Sequence, residues 1–184
     1  IAEFDPGSNG VEIIFGSNDA YIYVLDQNGE LIWKRQTGWT VRSSPLLFDS
    51  DGDGYEELFI GSDDQNVYAL HYWGDLVAGW PQQTSGELLS TPSVGDIDGD
   101  GEDEILIGGE DGLLYAWDSD GTAVESWPKQ TGVSYKGAPI VINADGDAEE
   151  EIFAADFSGN LQIWGLDNEA PIIADLIFLP MINQ

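Results

Sequence analysis

An acidic loop recurs three times in this chain, and each copy begins 47 residues after the one before it. Every copy has aspartate or asparagine at its first position, aspartate at its third and fifth, and glycine at its fourth. The copies occupy residues 49–54, 96–101 and 143–148. Small oxygen-bearing side chains at alternate positions of a tight loop are suited to a hard cation. The fixed period assigns each loop to a repeated structural unit, so the feature predicts a repeat architecture together with metal sites.

Other residues keep the same period. A tryptophan recurs 47 residues apart, and a threonine follows each copy four residues later; the tryptophans are Trp33, Trp80 and Trp127. Tyr68 and Tyr115 share the step, and a shorter first copy precedes them, in which Gly16-Ser17 corresponds to Gly61-Ser62. The sequence therefore predicts four units, with approximate ranges 1–42, 43–89, 90–136 and 137–168, followed by an apolar C-terminal segment, 169–184.

Within one unit the pattern is all-β. In the second unit we expect strands over 46–48, 57–61 and 67–70, with a further strand near 76–80 that ends at Pro81. Four short strands in a unit of 40 to 50 residues are typical of a β-propeller blade. Three arrangements stay open: a closed ring of four blades, one ring shared by two chains, or part of a larger propeller.

Particular residues carry a family resemblance. Phe48, the acidic loop from Asp49, and the run Phe59-Ile60-Gly61-Ser62 follow one another in this order. With them the chain, over roughly residues 4–167, resembles the FG-GAP/VCBS repeats of integrin-type β-propellers. Residues 21–29 are also similar to pyrroloquinoline-quinone-type propeller repeats, which share the blade architecture. The first resemblance implies that the loop joining the first two strands of a blade binds calcium in a mainly structural role.

The loop spacing assigns a ligand set to each of three calcium sites. Side chains at the first, third, fifth and ninth positions and the carbonyl of the seventh would supply the oxygen atoms. The predicted ligands are Asp49, Asp51, Asp53, Tyr55 and Glu57; Asp96, Asp98, Asp100, Glu102 and Glu104; and Asn143, Asp145, Asp147, Glu149 and Glu151. An EF-hand is excluded, because its twelfth position requires glutamate and here is Ile60, Ile107 or Ala154. Magnesium is disfavoured, because it prefers to keep several water ligands.

The sites are not expected to be equal. The first unit has only the shorter sequence 5–10 in place of the loop, and we expect it to bind no ion. In the fourth unit Asn143 lowers the ligand charge and Ala148 replaces a glycine, so this site should be the weakest.

The net charge of −30 narrows the classes of partner. The three regions 49–57, 96–104 and 143–151 hold 16 of the 35 acidic residues, so the charge is concentrated where cations would bind. Without cations these regions repel themselves, and metal binding should be coupled to folding. Nucleic acid is not expected as a partner because it requires a basic surface, and no apolar segment is long enough for membrane insertion.

Three aromatic residues outside the repeat, and two basic residues that share one repeat position, are candidates for a ligand surface. The periodic tryptophans are expected to pack between blades. The candidates are Trp39, Arg42, Trp73, Tyr135 and Lys136. The aromatic members would stack on a carbohydrate, and the two cations would take an anionic ligand near the mouth of a central channel. For the cations, charge balance with nearby acids is the favoured alternative.

The apolar segment 171–180 has high strand propensity. It either pairs with its own blade or is donated to a neighbouring subunit. Taken together, the sequence predicts an extracellular, calcium-stabilised module with a structural, adhesive or assembly role, and no catalytic activity. The alternative is a carbohydrate-binding or polysaccharide-active enzyme module.

Overall fold

The computed structural model of the chain is built from short strands. It describes Phe4, Gly7, residues 10–130, 132–144 and 150–165, and the backbone of 172–174. Within this part the strands are β1 Ile13–Gly16, β2 Tyr21–Leu25, β3 Leu31–Gln36, β4 Leu46–Phe48, β5 Glu57–Gly61, β6 Asn66–Leu70, β7 Gln82–Gln83, β8 Ser93–Gly95, β9 Glu104–Gly108, β10 Leu113–Trp117, β11 Lys129–Gln130, β12 Ile140–Ile142, β13 Glu151–Ala155, β14 Leu161–Trp164 and β15 Ile172–Ala174. None of the described residues forms a helix long and apolar enough to cross a membrane.

The strands form four antiparallel sheets in chain order, which we call blades one to four. Blade one contains β1 to β3, and the other blades contain β4 to β7, β8 to β11 and β12 to β15. Each is a meander in which every strand pairs with the next. The all-β prediction of blades of four strands is thus confirmed for blades two to four, and three strands of blade one are described.

One predicted strand is wrong. The sequence placed the outer strand of blade two near 76–80, but the structure has only an isolated bridge from Leu70 to Leu76 there, and β7 begins after Pro81. Blade three has the same arrangement, with β11 following Pro128. Proline has no N–H to donate to a strand ladder, so the pairing starts behind it. Blade one lacks this proline, and its outer strand runs through Trp33.

The hydrophobic core lies between the blades. We call the face of a blade that is turned to the next blade its leading face, and the face turned to the preceding blade its trailing face. In blade two, alternate residues of β5 and β6 point to the two sides, because side chains alternate along a strand. The leading face packs on blade three and contains Phe59, Val67 and Ala69. The trailing face packs on blade one and contains Leu58, Ile60, Tyr68 and Leu70.

The periodic tryptophans hold neighbouring blades together. Trp80, Trp117 and Trp164 are buried in the clusters between blades, and Trp33 and Trp127 pack against these clusters, as predicted. Two of them also donate a hydrogen bond to the next blade. Trp33 Nε1 lies 2.7 Å from the carbonyl oxygen of Tyr72, and Trp80 Nε1 lies 2.9 Å from that of Ser119.

Glycine is required where a blade meets the connection that leads to its successor. A Cβ added at Gly61 would lie 2.7 Å from the Cβ of Leu88, and one added at Gly108 would lie 2.4 Å from the Cβ of Tyr135. Both distances are shorter than two carbon atoms tolerate. The glycines at the ends of β5 and β9 therefore permit the close stacking of blades two, three and four.

The blades form an open array. The three core clusters join blade one to two, two to three, and three to four, and no core cluster or strand pairing of the described residues joins blade one to blade four. The described residues therefore do not form the closed four-bladed ring, which was one of three arrangements left open by the sequence.

The apolar C-terminal segment contributes a strand to its own blade. Backbone pairing joins β15 antiparallel to β14, with Ile172 opposite Ile163. The described part of this segment is thus the fourth strand of blade four, which is the home pairing that the sequence left open. The rest of 171–180 lies outside the described residues.

Candidate metal centre

Two of the acidic loops have the same backbone geometry. The loop of blade two joins β4 to β5, and the loop of blade three joins β8 to β9. In the first loop Asp49 accepts hydrogen bonds from the backbone N–H groups of Gly52 and Gly54, at 2.9 and 3.0 Å. The corresponding bonds to Asp96 measure 2.8 and 3.1 Å. Gly52 and Gly54 have φ values of 74° and 90°, which favour glycine, so the sequence determines this coiled loop locally.

The loops bring carboxylates into two compact groups. One contains Asp49, Asp51 and Asp53, and the other contains Asp96, Asp98 and Glu104; within each group the ligand oxygens lie within 4.8 Å of one another. A calcium ion binds oxygen at about 2.3–2.6 Å, so oxygen atoms on opposite sides of it are separated by about 5 Å. Both groups therefore have dimensions that fit such an ion. Of the other predicted ligands, Glu57 and Asp100 lie outside the two groups.

Glu57 and Glu104 occupy the same repeat position but have different partners. Glu57 Oε2 accepts hydrogen bonds from Ser50 N and Ser50 Oγ, at 3.0 and 2.9 Å, and Glu57 Oε1 lies 3.3 Å from His71 Nδ1. In blade three the residue at the position of Ser50 is Ile97, which donates only its backbone N–H, to Glu104 Oε2 at 2.8 Å. The residue at the position of His71 is Asp118.

This difference explains why Glu104 joins its acidic group and Glu57 does not. Both oxygens of Glu57 are engaged by Ser50 and His71, whereas Glu104 has neither a hydroxyl nor an imidazole as partner. The predicted ligand sets treat Glu57 and Glu104 alike, although the residues at the repeat positions of Ser50 and His71 differ between the two blades.

The electrostatics of the blade-three loop favour a cation. Burial, together with the nearby charges of Asp98, Asp100 and Asp96, raises the pKa of Glu104 to about 8, although the hydrogen bond from the Ile97 N–H acts in the opposite direction. The pKa of Asp118 is also raised, first by burial and then by Asp120 and the loop acids. Like charges at close range disfavour ionisation, and a bound cation would relieve this repulsion.

The loops of blades one and four are described only in part. In blade four, Ala144 N donates to Glu151 Oε2 at 2.7 Å, as Ile97 does to Glu104. Asn143 is described, but the predicted ligands Asp145, Asp147 and Glu149 lie outside the described residues. In blade one, Glu12 Oε2 instead accepts from Phe4 N at 2.7 Å.

The five candidate residues for a ligand surface do not form one surface. Tyr135 is 1% exposed and belongs to the core between blades three and four, so its prediction as a surface residue is wrong. Trp39 and Trp73 are exposed but lie at opposite ends of the blades. Trp39 lies in the β3–β4 connection, beside the turn at Asp63, whereas Trp73 follows β6 at the end that carries the acidic loops. Successive connections of a meander alternate between its two ends, which explains the separation.

The two cations of that set balance nearby acids. Arg42 forms ion pairs with Asp63 at 2.6 Å and with Glu87 at 2.8 Å. Lys136 lies 3.7 Å from Glu110 and 4.6 Å from the ring centre of Phe157. Charge balance, the alternative favoured by the sequence, accounts for both side chains.

An open cavity of about 360 Å³ lies beside Trp39. Its lining residues are Gly38, Trp39, Asp63, Asp64, Gln65 and Glu87. Asp63 is 7% exposed, and its Oδ1 atom is buried without a hydrogen-bond partner among the described residues. This cavity combines the exposed indole of Trp39, which was a predicted ligand residue, with acidic residues that were not predicted as ligands.

The repeat is similar to a known family of repeats, and the architecture is similar to that of solved structures. Residues 49–107 match the model of the FG-GAP-like repeat. No curated protein sequence matches the chain. Among solved structures, BamB from Moraxella catarrhalis has a TM-score of 0.66 at 20% identity, and the alignment covers 90% of this chain and 47% of that one.

Two further structures have a similar fold. BBS1N, solved in complex with ARL6DN, has a TM-score of 0.67 at 13% identity, with coverage of 96% and 58% of the two chains. The V. cholerae biofilm matrix protein Bap1 has a TM-score of 0.67 at 22% identity, with coverage of 91% and 28%. The chain thus spans between about a quarter and three fifths of these proteins. Residues 49–107 thus match the FG-GAP-like repeat, and the chain that contains them has the β-propeller fold.

Proposed function

We propose that this chain is a calcium-stabilised β-propeller module with a structural, adhesive or assembly role outside the cell, and that it is not an enzyme. The observation that carries the proposal is the pair of acidic groups whose oxygens lie within 4.8 Å of one another in equivalent loops. A cation held there would cross-link the first two strands of a blade at the end where the charge is concentrated.

The chemistry of the donors supports calcium. Every side chain in the two groups is a carboxylate, and hard oxygen ligands suit calcium better than a transition metal. Asp49, Asp51 and Asp53 would hold one ion, and Asp96, Asp98 and Glu104 another. We propose a third and weaker ion at the loop from Asn143 to Glu151.

The sole histidine supports a non-catalytic role. His71 lies 3.3 Å from Glu57, and its ring stacks on Trp73 with 4.3 Å between ring centres. An imidazole held in this way is positioned to orient Glu57, and the acids of the two groups are arranged to bind an ion. The similarity to a biofilm matrix protein and to a domain solved in a complex with a protein partner supports structural and assembly roles.

Calorimetric titration with calcium tests the proposal. We expect two or three ions for each chain, and one fewer in each of the variants Asp51→Asn and Asp98→Asn, because each removes a charge from one group. Glu30→Gln, an exposed change outside the groups, is the matched control and should keep the full stoichiometry. Absence of binding, or an unchanged stoichiometry in both loop variants, would contradict the proposal.

The cavity beside Trp39 supports a second candidate, carbohydrate binding. Trp39 is 63% exposed, and an exposed indole beside hydrogen-bonding groups is a platform for a sugar ring. Asp64 and Glu87 line the same cavity, and their carboxylates would accept hydrogen bonds from sugar hydroxyls.

A glycan array with matched variants tests this candidate. We expect Trp39→Ala to abolish any binding found for the unaltered chain. Trp73→Ala removes an exposed tryptophan from the opposite end of the blades and should leave binding unchanged. No glycan bound by the unaltered chain, or an equal loss in both variants, would exclude a carbohydrate site at this cavity.

A further inference from the structure

The two end faces of the blade array are apolar and carry no blade of the described residues. The trailing face of blade one contains Ile13, Phe15, Tyr23 and Leu25, which stand 45 residues before Leu58, Ile60, Tyr68 and Leu70. The leading face of blade four contains Ile140, Ile142, Phe153, Leu161 and Ile163, which stand 94 residues after Leu46, Phe48, Phe59, Val67 and Ala69.

The equivalent positions inside the array belong to the core. Leu58, Ile60 and Leu70 on the trailing face of blade two have no exposed surface, and Tyr68 is 8% exposed. At the ends of the array, by contrast, Phe15 is 37% exposed, Ile140 58% and Ile142 50%. The sequence thus retains core residue types at positions where the described structure leaves them partly or largely exposed. Exposed apolar side chains grouped on one face mark an interaction surface.

A polar contact between blades is also half formed on the trailing face of blade one. At the junctions inside the array, a tyrosine donates a hydrogen bond to the aspartate four residues before it. A backbone N–H of the preceding blade then donates a second hydrogen bond, either to the aspartate or to the tyrosine hydroxyl. Tyr68 donates to Asp64 at 2.7 Å, and the Gly38 N–H donates to the same carboxylate at 2.5 Å. In blade three Tyr115 donates to Asp111 at 2.5 Å and accepts from Ser85 N at 2.9 Å.

Blade one has the same pair without the preceding blade. Tyr23 OH donates to Asp19 Oδ2 at 2.6 Å, on an exposed surface. The tyrosine and the carboxylate are therefore already in the arrangement that, in blades two and three, receives a backbone donor from a neighbouring blade.

The repeat determines that a leading face packs on a trailing face. Every junction of the array joins a leading face to a trailing face, and the two end faces are one of each kind. The leading face of blade four is therefore complementary to the trailing face of blade one, but their contact within one chain is absent from the described residues. The four blades align with 47% of the BamB chain, so two sets of four account for about the whole of such a propeller.

We propose that two copies of this chain associate head to tail, with the leading face of blade four of each copy packed on the trailing face of blade one of the other, and thereby close one ring of eight blades. This interface deepens the assembly role proposed above by naming the partner as a second copy. It also gives the chain a self-association surface distinct from exchange of the segment 171–180. Two heterologous junctions related by a two-fold axis form a closed assembly.

Charge determines the conditions under which the ring forms. Each copy carries a net charge of −30, so association brings like charges together. Calcium in the acidic loops reduces this repulsion, and salt screens it. Lys34, whose Nζ lies 4.3 Å from the ring centre of Tyr21, places one of only five basic residues on the trailing face of blade one. We therefore expect calcium and moderate salt to promote the dimer.

The mass of the 184-residue chain in solution tests the proposal, by light scattering or sedimentation in calcium-containing buffer. We expect twice the chain mass of 20.0 kDa at micromolar to tens of micromolar protein. The variants Phe15→Glu and Ile140→Glu should each be monomeric, because each places a carboxylate in both junctions of the ring. Val11→Glu is the matched control, since blades two to four have an acid at this position, and it should remain dimeric.

A mixing experiment identifies the head-to-tail arrangement. The variant Phe15→Glu keeps the leading face of blade four intact, and the variant Ile140→Glu keeps the trailing face of blade one intact. An equimolar mixture can therefore form one unaltered junction, and we expect a heterodimer in the mixture although each variant alone is monomeric. A monomeric unaltered chain, species larger than the dimer, unaffected dimers of the two variants, or failure of the mixture to associate would each overturn the closed ring. A chain that binds calcium but stays monomeric would overturn this interface alone and leave the calcium proposal standing.

Discussion

Removal of calcium should lower the melting temperature of this chain by about 10–20 °C. An ion present at a hundredfold excess over its dissociation constant stabilises the folded state by about 2.7 kcal/mol, and two described sites together contribute about 5 kcal/mol. In a domain of this size, 1 kcal/mol corresponds to about 2–4 °C. The acidic loops would also repel themselves more strongly without the ion, which adds to the loss.

The measurement is thermal unfolding followed by circular dichroism, in calcium and in excess chelator, at one ionic strength. The variant with both Asp51→Asn and Asp98→Asn should show a much smaller difference in melting temperature between the two buffers, because only the weaker site of blade four would still respond fully to the ion. Magnesium at the same concentration is the matched control and should restore little stability. Equal melting temperatures in calcium and chelator would contradict the ligand assignment.

The strands of this fold were largely predictable, and the reason is the alternation of apolar residues between glycine-rich turns. The expected strand over 57–61 is β5 as observed, and β6 differs from its prediction only by starting at Asn66. The outer strand of blade two was misplaced because the apolar segment before Pro81 indicated a strand. In the structure this segment provides Trp80 to the core, while polar Gln82 and Gln83 form the ladder.

The metal groups were predictable in position but not in composition. Spacing alone assigned a similar role to Glu57 and Glu104, because they occupy the same place in the repeat. Their difference arises from two contacts to Glu57, one from the Ser50 hydroxyl and one from the His71 imidazole. Ser50 stands at a loop position that the motif leaves unspecified, and His71 lies at the end of another strand, so the ligand spacing alone does not contain either contact.

The ends of the array were the least predictable part, because the repeat encodes a junction at every blade regardless of whether a neighbour is present. Phe15 and Ile142 carry the same apolar character as Ile60 and Phe48, which contribute to the junctions of blade two. From the sequence alone, all four positions are predicted to lie in the hydrophobic core. Only the structure shows that two of them lie at faces with no blade of the described residues against them.

Replacement of Trp80 by alanine should destabilise the chain by about 3–5 kcal/mol, the loss typical of a large buried aromatic residue. Trp80 is 6% exposed, and its ring centre lies 5.4 Å from that of Phe59 and 5.9 Å from that of Trp117. The substitution leaves a cavity between blades two and three and also removes the hydrogen bond to the Ser119 carbonyl.

Chemical denaturation with urea measures the change in the free energy of unfolding, and two further variants separate its causes. Trp80→Phe keeps an aromatic ring but removes the indole N–H. Loss of this hydrogen bond should account for about 1 kcal/mol of the decrease in the free energy of unfolding of this variant. Trp39→Ala removes a tryptophan that is 63% exposed and should change stability by less than about 0.5 kcal/mol. Equal losses for Trp80→Ala and Trp39→Ala would contradict the role of Trp80 in joining the blades.

Calcium acts at the acidic loops, whereas Trp80 acts between the sheets. We therefore expect Trp80→Ala to melt at a lower temperature than the unaltered chain but to show the same increase in melting temperature when calcium is added.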